Sequence, residues 1–178
     1  RGLELAAEGA DILDVGGEST RPGSLPVPEA EEIRRVIPVV ESLRKQTSGL
    51  LSVDTTKAAV ARAALDAGAD IVNDTSAFRF DPAMPGEVAR SGAGVILMHM
   101  QGTPLTMQQS PRYGDLLDEI RGFLGERIRM AEAAGKLADL LKSVDGQVTS
   151  HTESKQADGT THAQYQVQVK RGKFAQLD

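Results

Sequence analysis

Residues 11–23 read DILDVGGESTRPG, and the rest of the chain can be ordered around them. Ile12, Leu13 and Val15 form a short apolar run of the length that suits a buried strand. Two glycines and a polar segment, Glu18, Ser19, Thr20, Arg21 and Pro22, follow directly. Polar loops at the C-terminal ends of buried parallel strands are where α/β proteins carry their chemistry. Asp14 interrupts the apolar run and, if buried there, needs a partner. Structural support of the following loop is the role expected of it.

Working outward, the same grammar recurs. Residues 3–8 have helical spacing, and Gly9 is placed to cap them. Beyond the loop, Pro28 opens a helix over 29–45, in which Ile33, Val36, Ile37, Val40 and Leu43 recur at helical intervals. Pro38 is expected to kink this helix without ending it. Gly49 precedes a second apolar run, 50–53, which ends in Asp54, Thr55, Thr56 and Lys57. Residues 57–67 read as an amphipathic helix closed by Gly68. A third strand, 70–72, ends in Asn73 and Asp74. A loop with Phe78, Arg79 and Phe80 leads to a short helix over 81–91. The fourth strand, 95–98, runs into His99, Met100, Gln101 and Gly102, and a long loop with Pro104 and Pro111 leads to a helix over 114–134. Strands alternating with helices imply right-handed βαβ units and a parallel sheet. All the polar clusters then fall at one edge. A full (β/α)₈ barrel takes about 250 residues and a doubly wound sheet fewer, and the pattern leaves a partial barrel and a small open sheet both standing.

Composition removes several function classes. The chain has 178 residues, a formal net charge of −5 and no basic footprint, so nucleic acid is not an expected partner. The absence of Cys excludes disulfides and thiolate chemistry and fits a reducing cytosol. No apolar run approaches the roughly 18 residues of a membrane span. The first residues lack both a signal-peptide core and an initiator Met, so the chain is expected to begin inside a larger protein. Past Gly135 the character changes. Residues 136–144 extend a helical pattern, and then Asp158-Gly159, with alternation over 164–169, reads as an antiparallel hairpin. A boundary is expected near residue 135, separating 1–135 from 136–178.

Taken singly, each cluster has an ordinary reading. Asp54 before two threonines reads as the N-cap of the next helix. Asn73-Asp74 reads as turn chemistry, and GGESTRPG as a turn-rich loop whose Arg suits anions. His99 reads as a wall or core residue, and Met98, Met100 and Met107 as packing. His151 and His162 are assigned no role.

Their joint occurrence says more. GGESTRPG at 16–23, SVDTTK at 52–57, IVND at 71–74 and LMHMQGTPLTMQ at 97–108 stand in order, each at an expected strand end. Together they resemble dihydropteroate synthase over about residues 1–135. The resemblance implies a partial TIM barrel of the pterin-binding type, with the 136–178 helix and hairpin appended. It implies a transferase of folate biosynthesis that joins p-aminobenzoate to 6-hydroxymethyl-7,8-dihydropterin diphosphate, with Mg²⁺, and that sulfonamides inhibit. Cytoplasmic localisation and a homodimer in the full-length family go with it. Carried over by motif, Asp54 and Asn73 read the pterin, and Thr20 is a contact on the diphosphate side. Ser19, Thr20, Arg21 and Pro22 form the loop over p-aminobenzoate.

No directly catalytic residue and no metal ligand is assigned, because the family's metal-binding Asn would lie before Arg1. Its later pterin Asp, Lys and R-x-H segments have no counterpart in 136–178. The chain alone is therefore expected to be marginally stable and to have little synthase activity. A non-catalytic pterin-binding module, a methyltetrahydrofolate-binding domain of a corrinoid methyltransferase, and an interaction role for the hairpin stay open beside the synthase.

Overall fold

The computed structural model describes residues 1–134 and, further on, the backbone of 147–155 and 161–168. The chain divides into two compact units, Arg1–Leu137 and Ala138–Asp178. In the first, helices α1 (Gly2–Ala7), α2 (Glu29–Arg44), α3 (Ala58–Asp66), α4 (Met84–Ser91) and α5 (Leu116–Ala133) alternate with strands β1 (Ile12–Gly16), β2 (Leu50–Asp54), β3 (Ile71–Asp74) and β4 (Gly94–Leu97).

The strands form one parallel sheet in the order β1-β2-β3-β4. Helix α2 packs on α3 and α3 on α4, which places these helices on one face of the sheet. A doubly wound sheet reverses its strand order at a switch point and carries helices on both faces. This sheet never reverses. Among the described strands this is the winding of a parallel sheet with alternating helices, as in a partial (β/α) barrel.

Strand alternation then sorts the side chains. Leu13, Leu51, Val53 and Val72 are buried with Val36 and Val40 of α2, Val60, Ala61 and Ala64 of α3, and Met84 and Val88 of α4. The opposite face is exposed at its edges, while Ser52 and Ile71 between them are buried. Ile12 is 38% exposed and Ile96 41%. The expectation of a wholly buried first strand is corrected here: β1 is an edge strand covered on one face, with Leu13 buried and Ile12, Asp14 and Gly16 exposed. Asp14 is thus not a buried group supporting the loop.

The opposite end of the sheet is closed by Arg44. Its Nε donates to the Gly68 carbonyl at 2.9 Å and its Nη2 lies 2.5 Å from Asp70 Oδ2, which also accepts from the Leu51 amide. Gly68 sits at φ +109°, and a Cβ there would lie 2.9 Å from Arg44 Cγ, so the turn requires glycine twice over. Pro38 is carried inside α2, which runs on to Arg44.

In the second unit, β5 (Gln147–Lys155) and β6 (Thr161–Gln168) pair antiparallel, with Val148 opposite Val167 and a register shift between Val148 and Ser150. The helix expected over 136–144 and the Asp158-Gly159 turn lie outside the described residues. Among the described residues, no helix is long and apolar enough to cross a membrane.

Candidate functional site

Parallel register brings the sequence clusters together. Gly16 of β1 is level with Asp54 of β2, and Asp54 with Asn73 of β3. One pleat earlier, Asp14 is level with Ser52. In-register residues of neighbouring strands project to the same side. These groups therefore share the open face at the C-terminal edge. A Cβ on Gly16 would stand 3.4 Å from Asp54 Cβ, so the glycine leaves space beside the carboxylate.

Thr20 Oγ1 donates to Asp54 Oδ2 at 3.3 Å, and Asn73 Nδ2 donates to Asp14 Oδ2 at 3.1 Å. Two polar atoms here are buried without a protein partner, Asp54 Oδ1 and Ser52 Oγ. Buried polar atoms are normally satisfied by protein, water or ligand. Burial raises the Asp54 pKa to about 6, and the Asp14 charge pushes the same way; the Thr20 hydrogen bond opposes, while Glu32 and Asp74 add smaller increases. The Asp54 carboxylate thus stands raised toward neutrality, with one buried, unpartnered acceptor oxygen beside a carboxamide that can both donate and accept.

Asp54 does not cap α3. That helix begins after Lys57 without a side-chain cap from Lys57, and Asp81 Oδ2 accepts from the Ala58 amide at 2.8 Å instead. Asn73 and Asp74 part company. Asp74 is the turn residue, fully buried, accepting from the Ser76 and Phe78 amides at 2.8 Å each. It holds Ala77 and Phe78 in left-handed conformations, φ 52° and 65°. Asn73 points the other way, into the site.

Of the loop residues 19–22, the structure brings only Thr20 against Asp54. Ser19, Arg21 and Pro22 are exposed. Ser19 Oγ accepts from the Arg21 amide at 3.4 Å, and Ser24 Oγ donates to the Arg21 carbonyl at 2.7 Å. The far side of the loop reaches the segment after β4, where the Gly23 amide donates to the Pro104 carbonyl at 3.0 Å.

The root of the loop is held by charges that the sequence reading left without a role. Lys57 Nζ lies 2.7 Å from Glu18 Oε2 and 2.5 Å from Glu32 Oε2. Glu18 Oε2 also accepts from the Val27 amide at 2.6 Å, and Arg35 Nη1 donates to the Gly17 carbonyl at 3.0 Å. Burial pulls the Lys57 pKa down, but its hydrogen bonds to the Glu18 and Glu32 carboxylates, with their charges, outweigh it and the net shift is upward. A signal was present: Glu32 lies in phase with Val36 and Val40 at four-residue spacing, on the buried stripe of α2.

His99 is a packing residue, as its sequence setting suggests. Its ring meets Phe123 edge-on at 5.0 Å between centroids and Tyr113 at 5.8 Å. Burial lowers its pKa, with the nearby Arg79 charge assisting. Arg79 bonds the Ser76 and Gly102 carbonyls and lies over Phe80 and Phe123, joining the β3 and β4 loops. Met100 is buried, and Met98 and Met107 are half-buried. Among the described residues, no group of three or more His, Cys, Asp or Glu could hold a metal ion.

An acidic and a carboxamide side chain, level on adjacent strands beneath a glycine-bracketed loop, mark a parallel α/β domain with a candidate site at its strand ends. The model of the pterin binding enzyme family matches residues 1–166, and the chain belongs to that family. The match runs beyond the four motifs and past residue 135. The chain is 46% identical over 131 residues to dihydropteroate synthase of Synechocystis, covering 74% of this chain and 45% of that protein. The Yersinia pestis dihydropteroate synthase, solved as a sulfonamide drug complex, superposes with a TM-score of 0.72 at 45% identity, over 75% of this chain and 48% of that one. The Xanthomonas albilineans enzyme, solved with 4-aminobenzoic acid, gives 0.69 at 53% identity, over 75% and 46%. The chain thus spans about half the length of the relatives it matches.

Proposed function

We propose that residues 1–135 supply the pterin-reading part of a dihydropteroate synthase whose strands close into a (β/α)₈ barrel. The observation that carries this reading is the level placement of Asp54 and Asn73, with Asp54 Oδ1 buried and unpartnered. A pterin presents an aminopyrimidinone edge of alternating donors and acceptors. Ionised Asp54 accepts from its N–H groups, and the Asn73 carboxamide both donates and accepts.

In this reaction the bond between the pterin methylene carbon and the diphosphate oxygen breaks, and pyrophosphate leaves with the electron pair. The arylamine nitrogen of p-aminobenzoate bonds to that carbon and loses a proton. The transition state is cationic at the methylene. Positioning and exclusion of water therefore matter more than acid–base chemistry in this half of the site. The Thr20–Asp54 hydrogen bond ties the arylamine-side loop, 19–22, to the pterin carboxylate, so ligand on one side is felt on the other. Mg²⁺ on the departing diphosphate belongs to the same reading. The described residues offer no acidic or imidazole cluster for it. A cytoplasmic location, p-aminobenzoate as second substrate, and a homodimer of the full-length protein are further parts of the proposal. So is the reading of 136–178 as a separate appended segment.

The test is a fluorescence titration of the 178-residue chain with 6-hydroxymethylpterin and its diphosphate. Asp54→Ala is expected to weaken binding at least tenfold, about the value of hydrogen bonds to a charged group. Equal binding by both proteins overturns the assignment of Asp54.

A further inference from the structure

Asp14 has no part in the reading above, yet it is the partner of a residue that has. It lies on the edge strand, one pleat before the Gly16–Asp54–Asn73 row, and its own neighbour in register is Ser52. Asn73 Nδ2 reaches across β2 to Asp14 Oδ2 at 3.1 Å, while the intervening Ser52 Oγ makes no hydrogen bond. A carboxamide has two faces of similar shape and opposite chemistry. With the reverse orientation, Asn73 Oδ1 would meet the Asp14 carboxylate, acceptor against acceptor. Asp14 therefore admits only one orientation of Asn73.

We propose that Asp14 is a positioning residue: by accepting one amide hydrogen of Asn73 it leaves the other hydrogen and Oδ1 as a fixed donor–acceptor pair for a ligand. Beside them stands Asp54, an acceptor. The open face then presents two acceptors and one donor in a set order. It favours a heterocycle with an amidine-type edge, a ring nitrogen beside an exocyclic amino group, over the same ring with a carbonyl in place of that amino group. The identity of the ligand rests on the pterin reading above. The orientation of Asn73 does not.

Two measurements on the 178-residue chain keep these apart. The first needs no ligand: the Asn73 side-chain amide resonances, by ¹⁵N–¹H NMR. Asp14→Ala is expected to move the hydrogen-bonded proton upfield. Asp14→Asn, whose carbonyl oxygen still accepts, is expected to keep most of the wild-type shift. Unchanged Asn73 resonances in Asp14→Ala overturn the proposal whatever the ligand is.

The second measurement is discrimination between pterin and lumazine, its dioxo analogue. Asp14→Ala is expected to narrow the affinity ratio about tenfold, as expected when one hydrogen-bonding pair is lost, with Asp14→Asn restoring most of it. In Asn73→Ala the further change Asp14→Ala is expected to have no added effect, because the two act as one unit. Equal weakening of both ligands, with the ratio intact, marks Asp14 as merely structural and overturns the proposal. If wild type binds neither ligand, the pterin reading fails, and the NMR result alone decides the orientation of Asn73.

Discussion

Lys57 Nζ sits 2.5 Å from Glu32 Oε2, a carboxylate with no exposed surface, and 2.7 Å from Glu18 at the root of the 16–28 loop. The second Glu32 oxygen, Oε1, is buried without a partner. One ammonium thus balances two carboxylates from different elements, and the charge balance of α2, α3 and the loop meets at a single atom.

Removing that cation leaves Glu18 and Glu32 facing each other, one of them fully buried. Lys57→Met is therefore expected to destabilise the fold by about 3 kcal/mol, the size typical of breaking a buried pair from one side. Urea denaturation checks this. Lys57→Arg, which keeps the charge, is expected to recover part of the loss.

Thr20→Val removes the hydroxyl that donates to Asp54 Oδ2. That bond favours the ionised carboxylate and holds the pKa down against burial and Asp14, so its loss is expected to raise the pKa further above about 6. The Asp54 carboxyl ¹³C titration reads the shift directly, and a fall would contradict the geometry.

Asp54 also makes stability depend on pH. Its folded pKa, about 6, lies above its ordinary value of 3.8, so the folded state holds the proton more tightly than the unfolded chain. The sign follows: stability from this group is present below its unfolded pKa and is lost as pH rises through the folded one. Asp54→Asn, which never ionises, is expected to melt close to wild type at pH 4 and above it at pH 7.5. Melting temperatures of the two proteins at both pH values test the sign.

Much of the fold was legible because the helices and strands of residues 1–134 have clean periodicity and glycine punctuation. What periodicity could not give was the partner of each polar group, since that depends on register between strands far apart in sequence. Asp54 looked like a cap because a cap is the local use of an Asp before a helix. The actual cap, Asp81, lies 23 residues away from Ala58. Asp14 looked buried because its neighbours in sequence are apolar. It lies instead on the face that no helix covers, and only the register shows that this face also carries Asn73. Asn73 and Asp74, adjacent in sequence, serve opposite faces, as alternation requires of any two consecutive strand residues.

Asp81 offers a check on this reassignment. It accepts from the Ala58 amide through Oδ2 and from the Ala83 amide through Oδ1, serving α3 and its own turn. Asp81→Ala is expected to cost about 1 kcal/mol, the value of a lost N-cap. Amide exchange at Ala58 is expected to accelerate in Asp81→Ala and not in Asp54→Ala; the opposite pattern would return the cap to Asp54.

Gly17 is where the motif's second glycine meets the helix layer. A Cβ built there would lie 2.9 Å from Glu32 Cγ, 2.9 Å from Val36 Cγ2 and 3.0 Å from the Glu32 carbonyl. Val36 and Glu32 are both buried, and the third contact is backbone, so the neighbours have little room to give. Gly17→Ala is expected to push the loop root off α2 and cost about 1–3 kcal/mol, as overpacking does. The same displacement should stretch the Glu18–Lys57 contact and move Thr20 away from Asp54, so pterin binding should weaken along with stability. Gly23 provides the contrast. It has φ +80° and nothing within 4 Å of a built Cβ, so Gly23→Ala meets backbone strain alone and should leave the Glu32–Lys57 pair intact. Chemical denaturation of both variants, beside a pterin titration, separates the two effects. Equal and small losses in both would show that the loop is not seated through Gly17.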